Sequence, residues 1–246
     1  MADMENQIIY FVHIPKAGGM TVQHILHQLY PHDQLLFHHY FDDINEKEMN
    51  PETIKVVHGH YLFGLHNHFN RPFSYFTMLR EPVDRVISQY YYLRGIEGEP
   101  YDKFRQMTLE EFVRHHSEHN IQTAFLSGNV QQPDLHLAKK NLKRHFDVVG
   151  LTEYFNESLF LLAKRYGWPA VHYKRTNVTK SRKQVADLPA ATIELIKQIN
   201  DKDMKLYEFA RKRFESELQG LTQQENVEMT AYIKAQKAYE MTDGAV

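Results

Sequence analysis

Strands that alternate with helices predict an α/β fold with a mainly parallel central sheet flanked by helices. Three stretches carry that prediction. "QIIYFVHI" (7–14) is a continuous apolar run of the kind buried on both faces, and "PKAGG" separates it from a helix-like pattern. "FSYFTML" (73–79) is a second such run, again followed by a turn and a helix-like pattern. "FDVVGLTE" (146–153) repeats the arrangement ahead of the amphipathic "NESLFLLAKRYGW".

The remaining elements follow in order. Val22, Ile25, Leu26 and Leu29 recur at helical spacing after the glycines, and Pro31 closes that helix. "TIKVVHGHYL" (53–62) reads as another strand. Pro82 opens the helix after 73–79, where its missing N–H costs nothing, and Val83, Val86, Ile87 and Tyr90 form the apolar face. Thr108 and Glu111 have the spacing of a capping box. "AATIELIKQINDKDMKLYEFARKRFESEL" predicts two helices broken near Asn200. Residues 1–220 are read as one domain. Residues 221–246, polar and Gln-rich, are read as a helical appendage or tail.

Composition excludes several classes. The net charge of -2, from 29 basic and 31 acidic side chains, argues against a general nucleic-acid or membrane-surface binder. With no cysteine, disulfides and Cys-ligated zinc or iron–sulfur sites are excluded. The first residues lack the pattern of a secretory signal, and no run of about 18 apolar residues occurs, so a soluble, cytoplasmic protein with no integral membrane segment is expected.

"VHIPKAGGMTVQHIL" (12–26) joins a strand to a helix through a Gly-containing turn. Such a turn aims backbone N–H groups at one point, and the helix dipole favours an anion there. Gly18 and Gly19 allow close approach, and Lys16 adds a full charge. The G-x-x-x-x-G-K-[ST] order is absent, so this is no Walker A loop. A tight turn with a solvated lysine explains the same residues. "YFTMLREPVDRVISQYYYLR" (75–94) repeats the architecture, with Arg80 at a strand end and Ser88 about two turns into the helix. Arg80 has a planar fork suited to phosphate, although Asp84 or Glu81 offers it an ion pair instead. Two such turns imply a ligand with two separated phosphates.

His58 and His60 flank Gly59 at a strand end, where alternation puts both rings on one face. Histidine, with an ordinary pKa near about 6.5, suits proton abstraction from a hydroxyl. The residues alone leave open a metal pair or a structural pair; no third ligand stands out, and no metal is expected. "HHYFDD" (38–43) and "HNHF" (66–69) read as solvated loops or acceptor contacts. Arg71, Arg94, His66 and His68 are either contacts to an anionic sugar or plain surface charges.

"HIPKAGGMT" resembles the 5'-phosphosulfate loop of sulfotransferases, and "TMLREPVDRVISQYYYLR" resembles their 3'-phosphate motif. The similarity is to the carbohydrate sulfotransferases, in particular the heparan sulfate and uronyl 2-O-sulfotransferase group. "NIQTAFLSG" (120–128), "VVGLTEYFNESLFLLAKRYGW" (148–168) and "HYKRTNVTKSRK" (172–183) extend it from residue 7 to about 218. The resemblance implies a P-loop-like sulfotransferase fold. It also implies 3'-phosphoadenosine 5'-phosphosulfate (PAPS) as cosubstrate, without a metal, and transfer of its sulfuryl group to a hydroxyl of a glycan or glycoconjugate. By the same resemblance, Lys16 contacts the 5'-phosphate and the departing oxygen, while Ala17, Gly18, Gly19, Met20 and Thr21 supply loop donors. Arg80 and Ser88 hold the 3'-phosphate, Thr176 and Lys180 belong to a basic loop over the cofactor, and His60 is the base with His58 assisting. At Ala17 and Met20 the family usually carries Thr or Ser, so two hydroxyl donors are missing. The alternatives are a Mg²⁺-dependent nucleotide phosphotransferase and a catalytically silent nucleotide-binding protein. Oligomeric state is not encoded in any of these features.

Overall fold

The computed structural model describes residues 6–39, 52–115, 119–174 and 182–242. Five parallel strands form one sheet: β1 (Ile8–Val12), β2 (Leu35–His39), β3 (Val56–His60), β4 (Phe73–Leu79) and β5 (Phe146–Leu151). Their order across the sheet is β2-β3-β1-β4-β5. Three strands are shorter than expected, and 152–154 form a 3₁₀ turn instead of continuing β5. β2 is an addition. "LLFHH" lies at the sheet edge and pairs in parallel with β3, where loop structure was expected from residue 38 onward.

All five residues of β1 are buried, as a central strand covered on both faces requires. Register places Tyr10 opposite Tyr75 and Phe11 opposite Phe76. Both pairs stack, at 4.8 and 4.7 Å between centroids. These aromatic ladders sit on opposite faces of the sheet and lock β1 to β4. Thr77 adds a side-chain bond from Oγ1 to the Val12 carbonyl, 2.8 Å.

Helix α1 (Gly19–Leu29) and helix α7 (Phe155–Tyr166) cover the Phe11 face, with His27 against His58, and Tyr166 and Trp168 against Phe76. Helix α2 (Pro82–Arg94) begins at Pro82, with Glu81 accepting from the Asp84 N–H as cap. The short α3 (Asp102–Gln106) and α4 (Leu109–Arg114) follow, and α4 has the expected Thr108–Glu111 capping box. α5 (Ile121–Ser127) and α6 (Leu135–His145) precede β5. α8 (Ala190–Ile199) and α9 (Asp201–Gln219) meet at Asn200, the expected break. α10 (Gln223–Thr242) ends the described chain. No described helix is long and apolar enough to cross a membrane.

The topology fixes where a ligand can sit. From β1 the chain winds toward β2, and from β4 it winds toward β5. The carboxyl ends of β1 and β4 therefore flank the point where winding reverses, the usual ligand crevice of an open α/β sheet.

Candidate active site

Lys16 follows the end of β1 and Arg80 follows the end of β4. They meet: Arg80 Nη1 donates to the Lys16 carbonyl at 3.0 Å. That bond braces an uncommon backbone, because Lys16 has φ 65° and Gly18 has φ 81°. A non-glycine residue in the left-handed region is held there by its surroundings. Gly18 caps α1 with no side-chain hydrogen bond, and the first turn of α1 holds no acidic side chain. The amino end of α1 is thus suited to an outside anion.

Gly19 is small for a packing reason. A Cβ there would come within 1.9 Å of the His13 ring, which lies against the start of α1. Ala17 is buried in the core and its N–H turns back to the Ile14 carbonyl, so its side chain contributes nothing to the loop surface. Met20 is exposed and Thr21 is buried.

The Arg80 fork does not stand open. Nε and Nη2 donate to Asp84 Oδ2 at 2.8 and 2.5 Å, the ion pair weighed as the plain alternative from sequence. Asp84 also accepts from Arg182, at 2.5 Å to Oδ1. One carboxylate therefore gathers two guanidiniums, each about one-seventh exposed (14% and 15%), beside Lys16. The pair holds Asp84 below the usual carboxylate range even though burial pushes it up. Lys16 is lowered to about 8, first by burial and then by Arg80 and Arg182. Asp84, Ser88 and Tyr92 are spaced four apart and form one stripe of α2. Ser88 is buried in it, and the Lys16 ammonium rests 3.9 Å above the Tyr92 ring.

The backbone of Arg80 is fixed independently. Gln122, buried on α5, accepts from Arg80 N–H and donates to Arg80 C=O, both at 3.0 Å. Asp203 in turn holds the start of α5, accepting from the N–H groups of Gln122 and Thr123 at 3.1 and 2.7 Å.

His60 ends β3 beside this loop. Its Nδ1 lies 2.7 Å from the His13 carbonyl, and its ring lies 4.2 Å from the His13 ring. A carbonyl only accepts, so Nδ1 carries the proton. In the neutral ring the lone pair is then on Nε2.

His58 is placed differently. It is 1% exposed, packed on His27 and Phe37, and neither ring nitrogen has a hydrogen-bond partner among the described residues. The ring expected to assist is packed in the core beneath α1. Burial, with a smaller effect of His27, lowers its pKa to about 4. The folded protein keeps it neutral while the unfolded chain binds a proton below about 6.5. Its stabilising contribution is therefore complete above pH 6.5 and lost as pH falls toward 4. Urea titrations should show about 2 kcal/mol lost from this group between pH 7.5 and 5, and His58→Leu should abolish that part of the loss. Equal acid sensitivity in the variant would contradict it.

His66, Arg71 and Arg94 stand elsewhere. His66 stacks on Phe73 and bonds the Tyr75 hydroxyl, and Arg71 donates to the carbonyls of Asn6 and Ile54. Both lie by the amino ends of the strands, opposite Lys16. Arg94 is tied to the Met107 carbonyl. Thr176, Lys180 and residues 40–43 lie outside the described residues. Among the described residues no group of three or more His, Asp or Glu is placed to hold a metal. Sequence reasoning missed Arg182, Gln122, Tyr92 and His13. Tyr92 was detectable as the next member of the Asp84–Ser88 series.

Two cationic turns thus meet at the switch point of the sheet, with a tautomer-fixed histidine alongside. Residues 2–210 match the sulfotransferase family, and the chain belongs to it. It is therefore an enzyme of sulfuryl transfer. It is 25% identical over 267 residues to a heparin sulfate O-sulfotransferase of Drosophila melanogaster, across 90% of this chain and 76% of that one. A crystal structure of mouse sulfotransferase SULT7A1 complexed with PAP aligns with a TM-score of 0.43 and 16% identity. That alignment spans 80% of this chain and 66%, just under two thirds, of the other.

Proposed function

We propose that the protein moves the sulfuryl group of PAPS to a hydroxyl of a carbohydrate or glycoconjugate, releasing adenosine 3',5'-bisphosphate (PAP). One observation carries the reading: the Arg80 guanidinium bonds the Lys16 carbonyl, so the two anion-binding turns share one crevice. The Gly18–Met20 turn and Lys16 hold the 5' end. Arg80, Ser88 and Arg182 face the 3'-phosphate. Two Arg80 N–H groups, one on each Nη, are not needed for the bonds to Asp84 and Lys16.

PAPS supplies an activated sulfur whose bond to the 5'-phosphate oxygen breaks as the acceptor oxygen bonds to it. His60 Nε2 takes the acceptor proton, and the His13 carbonyl keeps the tautomer that allows this. The Lys16 ammonium offsets charge on the departing phosphate oxygen. His58 supports β3 by packing and touches no substrate. A carbohydrate acceptor is the reading because the fly relative is a heparin sulfate O-sulfotransferase.

The test is a transfer screen over hydroxylated carbohydrates, read by mass spectrometry, run from labelled PAPS with EDTA present and from ATP with Mg²⁺ present. Transfer from PAPS and none from ATP is the expected result. Transfer of phosphate from ATP, dependent on Mg²⁺, would overturn it.

A further inference from the structure

The family match ends at residue 210, and α10 lies beyond it. One stripe of α10 grips three consecutive residues, Val171 to Tyr173. The Tyr232 hydroxyl donates to the Val171 carbonyl at 3.2 Å, and the Tyr239 ring stacks on His172 at 5.3 Å. Gln236, fully buried, accepts from the Tyr173 N–H at 3.2 Å and donates to the Tyr173 carbonyl at 2.7 Å. Positions 232, 236 and 239 share one helix face. Gln236 thus pairs both backbone groups of Tyr173 as a neighbouring strand would, and an unpaired group there would be costly.

Tyr173 passes this constraint toward the phosphate loop. Its hydroxyl donates to Asn156 Oδ1 at 2.6 Å, and its ring lies 5.1 Å from Phe155. Phe155 closes on Gly18, where a Cβ would come within 2.9 Å of its ring. Gly18 is the left-handed turn that opens α1.

We propose that Gln236 is a positioning residue for the phosphate loop: α10 holds Tyr173, Tyr173 holds Phe155, and Phe155 sets Gly18. This rests on reading that loop as the 5'-phosphate site. The helix outside the family match is thereby part of donor binding.

The experiment uses the full chain and calorimetry with two probes, PAP and adenosine 5'-phosphate (AMP). Gln236→Ala and Tyr173→Leu should each weaken both probes by about five- to tenfold and by the same factor, because the 5' end is what moves. The ratio of PAP to AMP affinity, set at the Arg80 end, should stay unchanged, and urea midpoints equal to wild type should exclude a general loosening of the fold, which would weaken both probes alike. The double variant should bind no more weakly than the worse single one, as a relay requires. Val227→Ser, on the exposed side of α10, should match wild type. Tyr173→Phe keeps the ring against Phe155 and loses the bond to Asn156, so it should fall between, which provides a second reading if Gln236→Ala does not fold. Unchanged affinities in folded variants, or a collapsed PAP-to-AMP ratio, would overturn the proposal. Failure of wild type to bind either probe would instead remove the nucleotide reading itself.

Discussion

His60→Ala should lower the rate of sulfuryl transfer by about 10²–10⁴-fold, the usual contribution of a positioned general base, and leave PAP affinity nearly unchanged. The separation follows from placement. The His60 ring is fixed through Nδ1 to the His13 carbonyl at the end of β1, whereas the proposed nucleotide site lies at the turns of Lys16 and Arg80. Removing the imidazole takes away the proton acceptor and none of the anion donors. His60→Gln is informative beside it, since an amide can still donate to the His13 carbonyl but is no base at neutral pH. It should be as inactive as the alanine variant. Single-turnover transfer measured alongside calorimetry decides the matter, and wild-type turnover by either variant would remove His60 from the mechanism.

Lys16→Met should cost about 10²–10³-fold in turnover, comparable to removing one oriented donor from a developing anion. Unlike the histidine change, it should also weaken AMP binding, because in the proposed site the ammonium faces the 5' end in both ground and transition states. The wild-type pH profile carries a further signature. Lys16 is lowered to about 8 by burial and by the nearby Arg80 and Arg182. It is charged below that pH and neutral above it. The donor kcat/KM, which reports the free enzyme, should therefore fall as pH rises through about 8. Once PAPS is bound its negative charge favours the ammonium, so kcat should hold to higher pH. Arg182→Met relieves part of the depression and should move the kcat/KM limb upward. A limb that ignores Arg182 would argue against this electrostatic account.

Much of this geometry is visible in the sequence because local and global signals agree there. β4 and α2 combine an apolar run, Pro82 at the helix start and the apolar face of Val83, Val86, Ile87 and Tyr90, and all three point to the same strand–turn–helix unit. The break at Asn200 shows for a similar reason, since the apolar spacing of α8 and α9 does not continue through it. β2 does not show. Its five residues end in two histidines, and only pairing with β3 makes them a strand. Gln122 and Gln236 are hidden in another way: each reaches a backbone more than forty residues distant, and no periodicity reports such a bond. His58 and His60 look equivalent by alternation. They diverge because one faces the core beneath α1 and the other stands at the strand's end, a difference of burial that spacing cannot express. For Arg80 the structure shows the plain alternative, the ion pair with Asp84, and the same carboxylate also draws Arg182 into place.

The central claim is that one crevice grips both phosphates of a single nucleotide. Calorimetric titration of wild type and Arg80→Met with PAP and with AMP tests it most directly. Wild type should bind one PAP per chain and prefer it to AMP by about ten- to a hundredfold, a preference that Arg80→Met sharply reduces. Equal affinity of wild type for the two nucleotides would contradict the account.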